Sequence, residues 1–176
     1  MHNVEMKAEL RDLPLARSIC HALKATKIAT LEQTDTYFKL ATGRLKKREC
    51  AGEPTEYVFY DRDNRARPRL SHFTIYSENE AAERFGSTPM PVWVVVKKTR
   101  ELWMLGSVRI HLDTVEDLGA FIEFEALVSP SNNVARCHET VAALRGSFAP
   151  AMGETIAVSY SDMIAGQIES QTSPEA

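Results

Sequence analysis

Residues 3–10 have the sequence NVEMKAEL, in which polar and apolar side chains alternate strictly. This period of two is that of a β-strand with one buried face, because successive side chains of a strand point to opposite sides. One face carries Asn3, Glu5, Lys7 and Glu9, so that a lysine stands between two carboxylates. Taken alone, such a segment is explained by a strand whose polar face lies in water.

Charged rows with the same period recur downstream, and each row occupies one parity of a strand-like segment. The rows are Arg44, Lys46 and Arg48; Lys98 and Arg100; Arg109, His111 and Asp113; and Glu123 and Glu125. Rows that faced outward would decorate the surface of a sandwich, and rows that faced inward would line a wet, highly charged tunnel. Parity alone does not separate these two interpretations.

Two features favour the inward interpretation. The faces opposite the charged rows are apolar but of modest bulk (Val4, Ala8, Ala120 and Ala126), as expected where helices cover a closed sheet. The two signs of charge are also segregated: carboxylates cluster in the first and last of these strands and cations in those between. Solvent-facing surfaces usually mix the two signs. The sequence therefore favours a charged tunnel.

The remaining segments predict a mainly antiparallel β fold with few helices. Helices are expected after Asp12, over residues 77–85, and from Ser131 through Leu144, each at a residue that can cap a first turn. Residues 92–96 are apolar on both faces and are predicted to be buried. Long hairpins between many strands indicate a barrel or a strongly curved sheet.

Length and composition predict one domain. The chain has 176 residues, of which 44% are hydrophobic, enough for a core of ordinary size. We assign this domain to residues 1–163 and predict that the polar residues 164–176 are a disordered tail. The formal charge of −3 provides no general basic field, which argues against a nucleic-acid partner. An anion site has to be a local concentration of cations.

Cysteine content and apolar runs bear on location. The three cysteines are odd in number and not at metal-ligand spacing, which favours a reducing compartment. The longest apolar run is far shorter than a membrane span requires, so no membrane contact is expected. We therefore expect a cytoplasmic protein.

A run of arginines lies in a turn-rich segment after the fourth strand-like stretch. A solvated loop is the favoured explanation, and a mobile basic flap is the alternative. These residues are Arg62, Arg65, Arg67 and Arg69.

Carboxylates in one patch of a tunnel and cations in another suit a metal–triphosphate complex. Mg²⁺ and similar hard cations take oxygen ligands, usually one or two carboxylates together with substrate phosphates. Lysine and arginine then neutralise the remaining phosphate charge. Catalysis in such a site consists largely of positioning and electrostatic stabilisation, without a protein nucleophile.

The opening strand resembles the Glu-x-Glu-x-Lys motif of the CYTH superfamily, the triphosphate tunnel metalloenzymes, and has here the form Asn3-Val4-Glu5-Met6-Lys7. Further blocks follow in the family's order, so that the resemblance extends over about residues 3–162. These blocks are residues 33–38, 43–49, 97–100, 108–113, 118–125 and 159–162. The branch that the chain resembles most is that of the class IV adenylate cyclase-like proteins.

The resemblance implies an eight-stranded, closed antiparallel tunnel barrel with flanking helices, that is, a mainly β fold of the α+β class. It implies Mg²⁺ or Mn²⁺ held by Glu5, Asp113, Glu123 and Glu125. It implies triphosphate held by Lys7, Arg44, Lys46, Arg48, Lys98, Arg100 and Arg109. The catalytic residues on this basis are Lys7, Arg109 and His111, with His111 either a proton shuttle or an additional phosphate or water contact.

The resemblance also implies the reaction. The leading expectation is a divalent-metal-dependent adenylate cyclase-like enzyme, in which the ribose 3′-hydroxyl of ATP attacks the α-phosphorus to give cyclic AMP and pyrophosphate. The alternatives are a triphosphatase that hydrolyses inorganic or thiamine triphosphate, and a module that binds polyphosphate or nucleotide without turnover. A homodimer is left open.

Asn3 is the departure from the family pattern. It stands where the full motif has its first glutamate, and so removes one charge available to a metal. This substitution bears on the number of bound ions and on the reaction.

Overall fold

The computed structural model describes residues 1–61 and 67–172, and its main feature is one antiparallel sheet. Within the described ranges the sheet has nine strands. They are β1 (His2–Leu10), β2 (Thr26–Phe38), β3 (Arg44–Cys50), β4 (Glu56–Asp61), β5 (Arg69–Ser77), β6 (Val92–Leu105), β7 (Val108–Val115), β8 (Gly119–Leu127) and β9 (Met152–Ile156).

Eight of these strands close into a barrel, as predicted. Their order is β5-β4-β3-β2-β6-β7-β8-β1, and β1 pairs back onto β5. One edge of β1 pairs with β8 along most of its length. Two strands share its other edge, β5 beside residues 2–5 and β9 beside residues 7–10. β1 is therefore the strand at which the barrel closes.

Four helices flank the barrel in the described part of the chain. They are α1 (Leu13–Ala22), α2 (Glu78–Phe85), α3 (Val134–Phe148) and α4 (Tyr160–Thr172). The Asp12 carboxylate caps α1 by accepting from the backbone N–H of Leu15 at 2.9 Å. The predicted cap of α3 was wrong by two residues, since Asn133 rather than Ser131 accepts the capping hydrogen bond. None of the described helices has the length and apolar character needed to cross a membrane.

The alternation of β1 separates the inside of the barrel from the hydrophobic core. Val4 and Ala8 point outward and pack with residues of α1 and α3, including Cys20 and Phe148. The opposite parity points into the barrel, where Lys7 is buried as well. Both faces of the strand are thus buried, one in an apolar core and the other in a polar interior.

The burial predicted for residues 92–96 was wrong. Val94 and Val96 are buried, but Val92 and Val95 are 54% and 42% exposed. These residues begin β6, a single 14-residue strand that extends to Leu105. Val95 points to the outer face of the sheet, and Val92 lies at the strand end beside a register shift.

The prediction that the chain is disordered from residue 164 was also wrong for the part of the tail that the structure describes. α4 continues to Thr172, and residues 173–176 lie outside the described ranges. Three contacts hold this helix: Ala165 is buried, Ile164 packs on the smaller apolar cluster, and Gln167 donates to the Asp117 carbonyl at 3.0 Å. A polar composition did not predict these tertiary contacts.

The packing of α3 on the barrel predicts the effect of a core substitution. Phe148 is fully buried, and its ring centroid lies 5.4 Å from that of Phe124 on β8. We expect Phe148→Ala to lower the free energy of unfolding by about 3–5 kcal/mol, because the change leaves a cavity. Urea denaturation followed by circular dichroism measures this. Val134→Ala on the same helix, where the side chain is 38% exposed, should change it by less than about 0.5 kcal/mol.

Candidate functional site

The inward side chains surround a polar cavity of about 180 Å³. Strands from all around the barrel contribute to its wall, together with the segment that leads into α4. The charged residues of the wall are Glu5, Lys7, Lys46, Arg48, Glu56, Lys98, Arg100, Arg109, Glu123 and Glu125.

Carboxylates collect on one side of the cavity because of strand register. Glu5 on β1 lies directly opposite Glu125 on β8, and Lys7 lies opposite Glu123. On the other edge of β8, His111 of β7 lies opposite Glu123. Directly opposed residues point to the same face of a sheet, so these side chains converge inside the barrel.

Three of these side chains form a group with metal-ligand geometry. The ligand atoms of His111, Glu123 and Glu125 lie within 4.8 Å of one another. His111 Nδ1 is 3.1 Å from Glu123 Oε1. Carboxylate oxygens suit Mg²⁺ and Mn²⁺, and imidazole suits the later transition metals. The donor set of this group therefore fits a divalent cation.

The electrostatics of the group follow from burial and crowding. Burial, together with the charge of Glu123 and that of Glu5, raises the pKa of Glu125 to about 8. Burial also disfavours ionised Glu123, but the hydrogen bond from His111 and the charges of Lys7 and Arg100 outweigh it and lower the pKa of Glu123. Burial and Arg100 lower the pKa of His111 to about 4, so this imidazole is neutral at pH 7.

Cations collect around Asp35 on the β2–β3–β6 side. Asp35 is fully buried and accepts two hydrogen bonds from Arg48, at 2.8 and 2.7 Å. Lys98 Nζ lies 3.1 Å and Lys46 Nζ 3.2 Å from its Oδ2. Burial opposes ionisation of Asp35, but the three cations hold its pKa well below the usual value. One carboxylate thus serves three cations.

The cations of this cluster remain in excess of their counter-charge. Burial, and then the charge of Arg100, lowers the pKa of Lys98 to about 8. Burial and the charge of Arg48 lower the pKa of Lys46 well below its usual value. Since a lowered lysine pKa means that the charged form is disfavoured, an anion entering this side of the cavity would relieve an unfavourable interaction.

Asp113 lies apart from the metal-capable group. Its two oxygens accept from Arg100 at 2.7 Å each, and Oδ2 also accepts from the Tyr160 hydroxyl at 2.7 Å. Burial opposes its ionisation, but Arg100 outweighs this and lowers the pKa of Asp113 to about 2. Both oxygens are therefore engaged in orienting Arg100, which also approaches Glu123 to 3.8 Å. The metal-ligand role predicted for Asp113 does not match this arrangement.

The segment that leads into α4 packs across the cavity. Lys7 Nζ lies 4.0 Å from the centroid of the Tyr160 ring and donates to the Val158 carbonyl at 3.4 Å. Arg69 donates to the Ala157 carbonyl. Residues 157–160 are thus held by Lys7 of the cavity wall and by Arg69 of β5.

The other predicted site residues take different positions. Arg109 belongs to the cavity wall but is exposed. Arg44 lies outside this cavity and donates to Asp162 at 2.7 Å. Its guanidinium carbon lies 4.7 Å from the centroid of the Trp93 ring. Asn3 is 6% exposed and lies in the wall, and its Oδ1 has no hydrogen-bond partner among the described residues.

Sequence reasoning gave no site role to Asp35 and Arg69, and it left open whether Tyr160 bounds the tunnel or belongs to the packing. Asp35 shares a parity with Tyr37, which was a signal that it points inward with the cations of β3 and β6. Arg69 belongs to a turn-rich arginine run, yet it is buried in β5 and its Nε lies 3.5 Å from Glu5 Oε1. Tyr160 enters through tertiary packing, which no local pattern predicts. Of the same arginine run, Arg67 is exposed, and Arg62 and Arg65 lie outside the described residues.

One wall of the cavity is apolar. Val58 of β4 and Phe73 and Ile75 of β5 line it, with the Tyr60 ring beside them. Val58 and Ile75 are directly opposed, as are Tyr60 and Phe73. The cavity therefore offers a surface for an uncharged organic group next to the charged walls.

Comparison with known families and structures gives a consistent result. The family model of the CYTH domain matches residues 1–160. No curated protein sequence matches the chain significantly.

Solved structures share the fold at low sequence identity. The PH1012 protein from Pyrococcus horikoshii OT3 superposes with a TM-score of 0.74 at 20% identity, over 91% of this chain and 98% of that one. A provisionally named adenylate cyclase from Vibrio parahaemolyticus has a TM-score of 0.71 at 16% identity, over 94% and 98%. HpAC1 from Hippeastrum, a provisionally named adenylyl cyclase described with a dominant triphosphatase activity, has a TM-score of 0.58 at 14% identity, over 95% and 96%.

The role of Asp35 as the shared counter-charge predicts a large effect on stability. We expect Asp35→Asn to lower the free energy of unfolding by about 3–5 kcal/mol, because it leaves buried cations without their partner. Chemical denaturation at neutral pH measures the change. Glu32→Gln on the same strand is the matched control, since Glu32 is exposed and bonds only to Thr99 in the described hydrogen bonds. Equal losses in the two variants would contradict the assignment.

The raised pKa of Glu125 predicts a pH dependence in metal-free protein. Its folded pKa of about 8 lies above the ordinary 4.5, so the folded state binds the extra proton between these values. The resulting stabilisation is fully present below 4.5 and is lost as the pH rises to about 8. Thermal melts in EDTA should show Glu125→Gln to be less pH-sensitive than wild type across this window, whereas the exposed Glu154→Gln should match wild type.

Proposed function

The chain belongs to the CYTH domain family, and on this basis we propose that it is a divalent-metal-dependent enzyme that acts on a triphosphate. The first reaction that we assign to it is cyclase-like, the conversion of ATP to cyclic AMP and pyrophosphate. Hydrolysis of inorganic or thiamine triphosphate in the same cavity is the second candidate.

The observation that carries this proposal is the separation of the two kinds of charge inside one barrel. Glu5, Glu123 and Glu125 converge along β1 and β8. Lys46, Arg48 and Lys98 surround Asp35 on the β2–β3–β6 side. A triphosphate with a bound divalent cation has the complementary distribution, because its phosphate oxygens need cations and its metal needs carboxylate oxygens.

The residues that would hold Mg²⁺ or Mn²⁺ are Glu123, Glu125 and Glu5, with His111 beside them. When bound, such a cation neutralises phosphate charge and orients the triphosphate. The presence of an imidazole within the group favours Mn²⁺ over Mg²⁺, since Mg²⁺ prefers oxygen ligands.

The protein's own cations position the triphosphate. Arg100 is fixed by its two hydrogen bonds to Asp113, and Arg48 by its two to Asp35, so both guanidinium groups are pre-oriented. Lys98 and Lys46 carry charge that burial disfavours, so a phosphate in this region gains more from them than it would from exposed lysines. Stabilisation of charge on the leaving pyrophosphate then requires no rearrangement of the site.

His111 is a contact residue in this proposal rather than a proton shuttle. A pKa of about 4 makes its imidazole a weak base at pH 7. If Nδ1 carries the proton that is donated to Glu123, Nε2 is an acceptor for a hydroxyl or a water. Both orientation of Glu123 and contact with a ligand remain compatible with its position.

The apolar wall supports an organic substrate. Val58, Phe73 and Ile75 would contribute nothing to the binding of inorganic triphosphate, whereas a nucleobase or a thiazolium ring can pack against them. The names given to the Vibrio parahaemolyticus and Hippeastrum proteins point to the two reactions under consideration, cyclisation and triphosphate hydrolysis. Both reactions use the same triphosphate site and differ in the attacking group, which is the ribose hydroxyl in one case and water in the other.

Neighbouring lysines on β6 provide a matched test. Lys98 points into the cavity and is buried, whereas Lys97 is exposed on the opposite face. We expect Lys98→Met to reduce kcat/KM by about 10- to 100-fold, the equivalent of the ~1.5–3 kcal/mol of a hydrogen bond to a charged group. Lys97→Met should match wild type. Purified protein with Mn²⁺ or Mg²⁺ is assayed against ATP, thiamine triphosphate and inorganic triphosphate.

The products decide between the reactions. Cyclic AMP with pyrophosphate supports the cyclase, and ADP or thiamine diphosphate with phosphate supports the triphosphatase. Triphosphate binding that is sensitive to Lys98→Met, without turnover of any of the three compounds, would contradict the enzyme and select a binding module. In that case a gain of turnover on Asn3→Glu would identify Asn3 as the cause.

A further inference from the structure

Two histidines face each other on the outside of the barrel, away from the charged cavity. His2 of β1 lies directly opposite His72 of β5. Both are exposed, and their ring centroids are 4.1 Å apart with the rings nearly perpendicular, at 88°. On the other edge of β5, Asp61 of β4 lies directly opposite His72 and is exposed as well. Three potential ligands thus form a row across three adjacent strands.

On each of the three strands, the residue of this row lies on the face of the sheet that points away from the cavity. Asn3, Ser71 and Tyr60, the chain neighbours of these residues, line the cavity. Since successive side chains of a strand point to opposite faces, His2, His72 and Asp61 point outward. The row is therefore separate from the carboxylates of the cavity, with the thickness of the sheet between them.

The chemistry of the row differs from that of the cavity. Two imidazoles and one carboxylate are ligands for first-row transition metals, for which imidazole nitrogen is a preferred donor. An imidazole has to be neutral to bind a metal.

We propose that His2, His72 and Asp61 form an external binding site for a transition-metal dication such as Zn²⁺. Cross-strand pairing places the two imidazole centroids 4.1 Å apart, so that rotation of the side chains can direct one nitrogen of each ring to the same ion, and the Asp61 carboxylate or water completes the coordination. This site is independent of the triphosphate chemistry proposed for the cavity.

The location of the site gives it a structural consequence. The pairing of β1 with β5 that closes the barrel comprises four residue pairs, and His2 with His72 is the outermost of them. The next pair, Asn3 with Ser71, lines the cavity. A bound ion would join two strands that are distant in sequence and so stabilise the closed barrel, because it binds the folded chain and not the unfolded one.

The test is a zinc titration of the 176-residue chain without a polyhistidine tag, by calorimetry and by thermal melting, with Mg²⁺ in excess throughout. Zn²⁺ should raise the melting temperature of wild type. His2→Gln and His72→Gln should each abolish most of that rise and weaken zinc binding by about tenfold or more, at least the loss seen when an outer partner of a metal ligand is removed. The double variant should bind little worse than either single one, because a chelate is lost with its first ligand.

Three controls keep the assignment open to refutation. Melts without zinc should agree between wild type and the two variants, since both side chains are exposed. His138→Gln on α3 should retain the full zinc response. The proposal is overturned if wild type shows no zinc-dependent rise, if the response survives in both His2→Gln and His72→Gln, or if His111→Gln in the cavity abolishes it while the external variants do not.

Discussion

Charges that are taken out of water have to be matched by other charges, and this requirement organises the interior of the barrel. Asp35 is the point at which it is most evident, because one fully buried carboxylate is shared by Arg48, Lys98 and Lys46. The strands β2, β3 and β6 are held in a register that brings these four groups together. The cations remain in excess, so the same cluster that ties three strands together is prepared for an anion. The unmatched positive charge therefore lowers the stability of the fold and at the same time favours the binding of an anion.

On the carboxylate side of the cavity it is negative charge that has to be matched by cations. Burial and the nearby carboxylates of Glu123 and Glu5 disfavour the charged form of Glu125, and the raised pKa of Glu125 is the result. Lys7 and Arg100 moderate this crowding from either side of Glu123. Asn3 fits the pattern: an amide at the first motif position adds an oxygen to the wall without adding a further negative charge to a group that is already strained.

The period of two in residues 3–10 was enough to predict an inside and an outside, and the segregation of charge was enough to predict a tunnel. The positions that escaped prediction are those that depend on register and on distant packing. Asp113 has the parity and charge of a metal ligand, yet its neighbour across the sheet is Arg100, which takes both oxygens. Arg44 continues the row of Lys46 and Arg48, yet it lies two residues before Lys46 on β3 and donates to Asp162 of α4 instead of facing the cavity. Parity specifies the face of a sheet, whereas depth along the barrel depends on how the strands are staggered, which the local pattern does not contain.

The shared edge of β1 has a consequence for how the chain can be assembled. β1 precedes its neighbours β5, β8 and β9 in the chain, and the last of them, at Met152–Ile156, follows much later. Hairpins such as β3–β4 and β7–β8 can form from adjacent segments, whereas the first strand has to wait for partners that are remote in sequence. During this interval its apolar face, with Val4 and Ala8, has no core to enter. The strand that brings Glu5 and Lys7 into the cavity and closes the barrel is thus also exposed to mispairing while the protein is being made.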